Sequence, residues 1–326
     1  MSPPAASNAI ERDVAALTPS ALTPAPSAGA SAGDYLALLK PRVMSLVVFT
    51  GLVGLYLAPG ALHPLLAVIA VLCIAAGAGA SGAINMWYDR DIDALMARTK
   101  DRPIPAGRVA PENALAFGVV LAVGSVTLMG VALNWAAAGL LALTIAFYVF
   151  VYTAWLKRRT PQNIVIGGAS GAFPPMIGWA AVTGDVSLAP LALFLLIFMW
   201  TPPHFWALAL YRAGDYAKAG VPMLPVVAGD RETRRQILIY TALLAPVAPA
   251  PAYIGLSGPV YAAAAAILSG AFLVHAWQVY RPAGGRDRRD IDARNACAKR
   301  MFGFSIVYLF GLFAMLVVDK AMGLGW

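Results

Sequence analysis

Asn85-Met86-Trp87-Tyr88-Asp89-Arg90-Asp91-Ile92-Asp93 closes a stretch, Val43 to Tyr88, that contains no Asp, Glu, Lys or Arg. Directly after it come Arg98, Arg102 and Pro103-Ile104-Pro105. A spacing of four keeps Asn85, Asp89 and Asp93 on one slowly drifting helical face. Oxygen ligands in a row at the mouth of an apolar helix suit Mg²⁺, and neighbouring arginines suit phosphate. The pattern therefore points to chemistry on a diphosphate whose tail lies in lipid.

Working outward, the same alternation of apolar run and charged loop fills the chain. Its 326 residues are 60% hydrophobic and 12% charged, against roughly a quarter charged in soluble domains. Charges are also missing between Glu112 and Lys157 and between Arg235 and Arg281, and only Asp185 interrupts Arg159 to Arg212. Each gap accommodates two crossings of about 20 residues with a turn between them. Turn signals fall near the midpoints at Pro59-Gly60, Asn134-Trp135, Thr183-Gly184-Asp185 and Gly255 to Pro259. Such gaps leave no polar face, which excludes a large soluble helical core. The expected fold is an all-α integral membrane protein. Its nine transmembrane helices, at 43–62, 64–88, 113–133, 135–156, 164–182, 188–211, 235–255, 259–280 and 301–319, form a bundle.

Every Lys and Arg except Lys320 lies in the N-terminal flank or in the loops near 89–112, 157–163, 212–235 and 281–300. Those loops and the N-terminus are expected to be cytoplasmic. The net charge of +8 is then a topology signal and an attraction for anionic lipid or substrate, not a nucleic-acid footprint. Cys73 and Cys297 offer neither a disulfide framework nor a CxxC metal site. Residues 1–33, rich in Ala, Pro and Ser, read as a disordered tail before a membrane domain spanning 34–326. Without a transit or secretory signal, the expected location is a bacterial inner membrane, crossed many times.

Three polar clusters carry the chemistry. In the first, Asp89 and Asp93 suffice for Mg²⁺ and Asn85 is a neutral helper already inside the span, where a polar residue is costly. Asp91 is off the stripe and reads as solvated or paired to Arg90. The second holds Thr201-Pro202-Pro203-His204-Phe205-Trp206, Tyr211-Arg212 and Asp215-Tyr216. If one helix continues through it, His204, Tyr211 and Asp215 share nearly one face, and Asp215 closes a second wall of metal ligands opposite Asp89. Pro202 and Pro203 should bend that helix. The third is Lys157-Arg158-Arg159, ordinarily a topology anchor, with Asn163 just inside the next helix, suited to a phosphate, a metal-bound water or a porphyrin propionate.

The stripe at Asn85, Asp89 and Asp93 resembles the first aspartate-rich motif of the intramembrane aromatic prenyltransferase superfamily. Four strings are similar to its protoheme IX farnesyltransferase (haem O synthase) branch. They are Asn85 to Asp93 with Arg102-Pro103-Ile104-Pro105, Thr160 to Gly168, Thr201 to Trp206, and Asp215-Tyr216 with Val221 to Val226. The likeness runs from about Asp34 to the last helix. Many superfamily members carry a paired DxxxD in the second cluster; here Asp215 has Tyr211 and Ala219 four residues away on either side.

The resemblance implies a bundle around a central cavity and Mg²⁺-dependent transfer of farnesyl from farnesyl diphosphate to a vinyl group of haem b. In that reading Asp89, Asp93 and Asp215 hold the metal, and Arg98, Arg102, Lys157 and Arg158 hold the diphosphate. Trp87, Tyr88, Phe205 and Trp206 shelter the allylic cation, with Asn163 on the substrate. His204 and Tyr211 serve the quenching water, or His204 orients or ligates the haem iron. Implied partners are the bilayer and haem A synthase or oxidase assembly factors. The alternatives are a prenyltransferase of a quinone or chlorin precursor, which should lack the His204 string, and a membrane haem carrier.

Overall fold

The computed structural model describes residues 29–281 and 288–323, and every regular element among them is helical. Backbone polar groups in hydrocarbon must bond within their own segment, so the apolar runs coil. In chain order the helices are α1 (Ala32–Leu38), α2 (Pro41–Leu57), α3 (Pro64–Tyr88), α4 (Arg90–Leu95), α5 (Pro111–Ala132) and α6 (Trp135–Ala146). A π-helix (Phe147–Leu156) prolongs α6. Then follow α7 (Asn163–Ala172), α8 (Pro174–Thr183), α9 (Leu188–Lys218), α10 (Leu224–Val227), α11 (Gly229–Val247), α12 (Ala250–Tyr253), α13 (Pro259–Tyr280) and α14 (Arg288–Ala321). Eight helical stretches are long and apolar enough to cross a membrane, and α1 with α2, bent by 58°, gives a ninth candidate.

Several boundaries differ from expectation for identifiable reasons. The fifth span is two helices, because Pro174 and Pro175 lack the N–H groups that would continue α7 past Phe173. The sixth is longer: α9 carries Pro202 and Pro203 in its interior and continues to Lys218. The tail expected to residue 33 falls outside the described residues up to 28, but residues 32 and 33 already belong to α1. Ser31 and Asp34 form a reciprocal capping box there, so the helix starts earlier than composition suggests.

Neighbouring helices close a ring. α2 packs on α3 and α8, α3 on α5, the π-helix on α7, α7 on α9, α9 on α11 and α14, α11 on α13, and α14 returns to α2. Contact between α2 and α8 is backbone to backbone. A Cβ on Gly54 would sit 2.1 Å from Pro175 O, and one on Gly178 2.0 Å from Gly51 O. With so little room the helices must part, so Gly178→Ala is expected to cost at least about 1–3 kcal/mol. The check is a melting temperature in detergent well below that of Gly139→Ala, where an added Cβ meets nothing within 4 Å.

Candidate active site

The stripe assembles as its period demands. Asn85, Asp89 and Asp93 lie at the junction of α3 and α4, each no more than 3% exposed. Buried carboxylates require partners, and two separate segments supply the cations. Lys157, the first residue after the π-helix, donates to Asp89 Oδ2, and Arg102 donates to Asp93 Oδ2 at 2.6 Å. Asn85 ties the group together. Its amide nitrogen donates to Asp89 Oδ2 at 2.7 Å and to Thr153 Oγ1 at 3.2 Å, while its oxygen accepts from Lys40 Nζ at 2.7 Å. All three bonds agree with one amide orientation.

Lys40 was legible in the sequence only as a topology charge. It stands in the elbow between α1 and α2 at φ 52°, alone among the described non-glycine residues in having a positive φ. That left-handed turn bends α1 across the end of α3. Leu38 is thereby buried with Ala83, Met86, Ile104 and Val109, and the amine is directed onto Asn85. A left-handed lysine costs on the order of 1–3 kcal/mol and persists only where surrounding contacts over-determine it. The one advance signal was Lys40-Pro41 at the mouth of an apolar run.

Asp91 is solvent-exposed, as one of its two readings had it, but its ion-pair partner differs. It bonds both terminal nitrogens of Arg158 at 2.7 Å rather than Arg90, whose guanidinium donates to Trp87 O and lies 5.5 Å from that ring's centre. Arg158 also lies 3.6 Å from Asp89 Oδ1 and over the Tyr88 ring, so Lys157 and Arg158 serve the rim and only Arg159 fits a plain anchor. Hydrogen bonds from Arg158 hold the Asp91 carboxyl below its ordinary range. A depressed folded-state pKa contributes stability above the unfolded value, near 4, and loses it as pH falls through the lower folded value. Asp91→Asn should therefore lower the melting temperature slightly at pH 7, and the gap should close below about pH 4.

Other predicted residues separate. Trp87 packs in the cluster under α1, and Tyr88 bonds Ala154 O, so both brace the rim. Trp206 packs edge-on against Tyr240, away from α4. Phe205 joins the cluster containing Ile92, Met96 and Tyr152 while meeting His204 at 5.1 Å, linking the carboxylate rim to the second motif. Tyr216 packs in that same cluster, which sets the end of α9 beside α4; its neighbour Asp215 lies 3.7 Å from Arg212. Arg98 is exposed and makes no ion pair among the described residues. His204 and Tyr211 both contact Phe302 of α14, as a continuous α9 requires. Asn163 donates to Thr160 O at 2.6 Å and leaves a buried Oδ1 without a partner. An orphan acceptor suits a metal-bound water rather than a phosphate or propionate.

Two observations bear on a metal. Asp89 Oδ1 is sealed from solvent with no hydrogen-bond donor, the condition of a ligand atom awaiting a cation. Among the described residues, however, no three His, Cys, Asp or Glu side chains converge into a metal group, so Asp89, Asp93 and Asp215 do not form a closed cage. Mg²⁺ commonly takes one or two carboxylates and completes its shell with substrate phosphate and water, so the donor set fits.

A ring of apolar helices with buried carboxylates and amines interleaved at one rim defines an intramembrane enzyme that handles a charged group on a lipid-soluble substrate. The chain belongs to the UbiA prenyltransferase family, whose sequence model matches residues 47–306. It is therefore a prenyltransferase, and its helices and bacterial relatives make it a multi-pass protein of the inner membrane. Two relatives are each named protoheme IX farnesyltransferase. The one from Parvibaculum lavamentivorans is 62% identical over 90% of this chain and 91% of its own. The one from Granulibacter bethesdensis is 57% identical over 95% and 96%. The fold also matches a structure described as digeranylgeranylglyceryl phosphate synthase, with TM-score 0.71 and 17% identity over 88% of this chain and 97% of that one. A UbiA homologue from Archaeoglobus fulgidus bound to DMAPP and Mg²⁺ gives 0.63 and 19% over 87% and 99%.

Proposed function

We propose that this protein transfers farnesyl from farnesyl diphosphate to a vinyl group of haem b, giving haem O and diphosphate, with Mg²⁺ as its metal. The observation that carries the chemistry is the buried rim, where an Asp89 oxygen without a hydrogen bond sits among Lys157, Arg158 and the Lys40–Asn85 pair. The acceptor is supported by the names of relatives about 60% identical over nine-tenths of the chain. The metal is supported by the Mg²⁺ bound in the Archaeoglobus homologue.

Asp89 and Asp93 would hold the cation, which supplies Lewis-acid charge to the leaving diphosphate. Arg102, Lys157 and Arg158 exchange carboxylate partners for phosphate oxygens, Lys40 gives up its bond to Asn85, and the exposed Arg98 adds its charge, so positive charge already stands where negative charge builds. As the allylic C–O bond breaks, Phe205 and Tyr152 present ring faces to the carbocation and keep water from it. The haem vinyl carbon forms the new C–C bond, water adds to the resulting cation, and a proton leaves. Asp215, 3.7 Å from Arg212, would add its carboxylate from the second wall without completing a closed cage.

The test supplies detergent-solubilised protein with haem b, farnesyl diphosphate and Mg²⁺ and examines the extracted porphyrins by mass spectrometry. A product heavier by one farnesyl and one hydroxyl group is expected. Unmodified haem b alone, from protein whose melting curve is intact, would refute the assignment. In the same assay Asp215→Asn should reduce turnover by less than loss of Asp89, because it removes no direct ligand.

A further inference from the structure

His204 is held more closely than a packed core histidine needs to be. Its ring stacks on Trp200 at 4.1 Å and on Phe302 at 4.6 Å between centroids, which places those rings on its two opposite faces. Its Nδ1 is 2.6 Å from Ser305 Oγ, and Ser305 Oγ is 2.6 Å from Phe302 O. Trp200 Nε1 donates to Ser305 O at 2.8 Å, so α9 grips α14 at this serine from two sides.

These distances fix the proton. A carbonyl oxygen carries no hydrogen, so the contact with Phe302 O must use the hydrogen of Ser305. The hydroxyl can then only accept from His204, which puts the imidazole proton on Nδ1 and the lone pair on Nε2. No described residue bonds Nε2, yet it is absent from the sealed, unpartnered polar atoms, so it retains accessible surface. Both faces and the Nδ1 edge are covered, which leaves the Nε2 edge as the ring's free side, in a residue that is 8% exposed and meets Phe205 at 5.1 Å.

We infer that Ser305 is a positioning residue: it holds His204 in the Nδ1–H tautomer so that Nε2 offers its electron pair to the iron of the porphyrin acceptor. A neutral imidazole whose second nitrogen is anchored by an outer hydrogen bond is the usual form of a histidine iron ligand. The iron half of this inference rests on the haem reading above; the tautomer does not.

The chain has three histidines, so ¹⁵N-histidine labelling of the solubilised protein gives a readable spectrum, with His204 assigned by its loss in His204→Gln. The intact protein should show the Nδ1–H tautomer, Ser305→Ala a mixture, and Ser305→Thr the original form. An Nε2–H tautomer in the intact protein overturns the proposal without touching the farnesyl assay. Titration with haem b should show Ser305→Ala binding about tenfold more weakly with a shifted Soret band, as loss of an outer-shell partner does. Ser305→Thr should restore both, and metal-free protoporphyrin IX should bind all variants alike. Unchanged haem b binding by Ser305→Ala, or equal weakening for the metal-free porphyrin, would remove the iron role.

Discussion

Asp89→Ala is expected to reduce farnesyl transfer on the order of 10²–10³-fold or more, since on the proposed reading it removes a metal ligand and the organiser of the leaving-group charges. The substitution has a second consequence, because Lys157 loses its partner within a rim only 15% open to solvent at that side chain. Breaking a buried pair from one side typically costs about 3–5 kcal/mol, so lost turnover alone would be ambiguous. Replacing both members resolves it. Asp89→Asn with Lys157→Met should recover most of the melting temperature in detergent while product by mass spectrometry stays at the level of Asp89→Ala. A double variant that regains turnover along with stability would show that Asp89 matters only as a structural counter-ion.

Lys40→Gly separates backbone from amine in a similar way. Glycine takes φ near 52° without the penalty that lysine bears, so the elbow between α1 and α2 should form at least as readily. The variant should melt at or above the original temperature. Its kcat/KM for farnesyl diphosphate should fall about 10²-fold, the scale of losing one preorganised donor to a developing anion. Lys40→Met, which keeps the strained turn and the side-chain bulk, should show the same kinetic loss with no gain in melting temperature. If both variants turn over normally, the Lys40–Asn85 bond is structural and the amine never reaches the diphosphate.

The Asn85–Asp89–Asp93 stripe was legible because all three sit on consecutive turns of one short stretch, and a four-residue period brings them together whatever the rest of the chain does. The continuous face from His204 to Tyr211 was legible for the same reason, once helix α9 ran past its prolines. The ring partners were a different matter. Trp87, Tyr88 and Trp206 sit in the motifs by sequence, yet packing turns them toward α1, Arg158 and Tyr240. Asp91 was read as solvated or paired to the adjacent arginine; it is exposed, but the structure supplies its partner, Arg158, from 67 residues away.

The sequence by itself determined the membrane spans, their charged rim and the first row of oxygen ligands, because hydropathy and helical period act over a few turns of chain. Only the tertiary structure decided how those ligands are completed. Lys40 reaches Asn85 across 45 residues, Thr153 across 68, and Ser305 reaches His204 across 101. Such contacts follow from which helices become neighbours and how each is rotated. That is settled by backbone approaches like Gly54 on Pro175 and by the left-handed turn at Lys40, neither of which has a period along the chain.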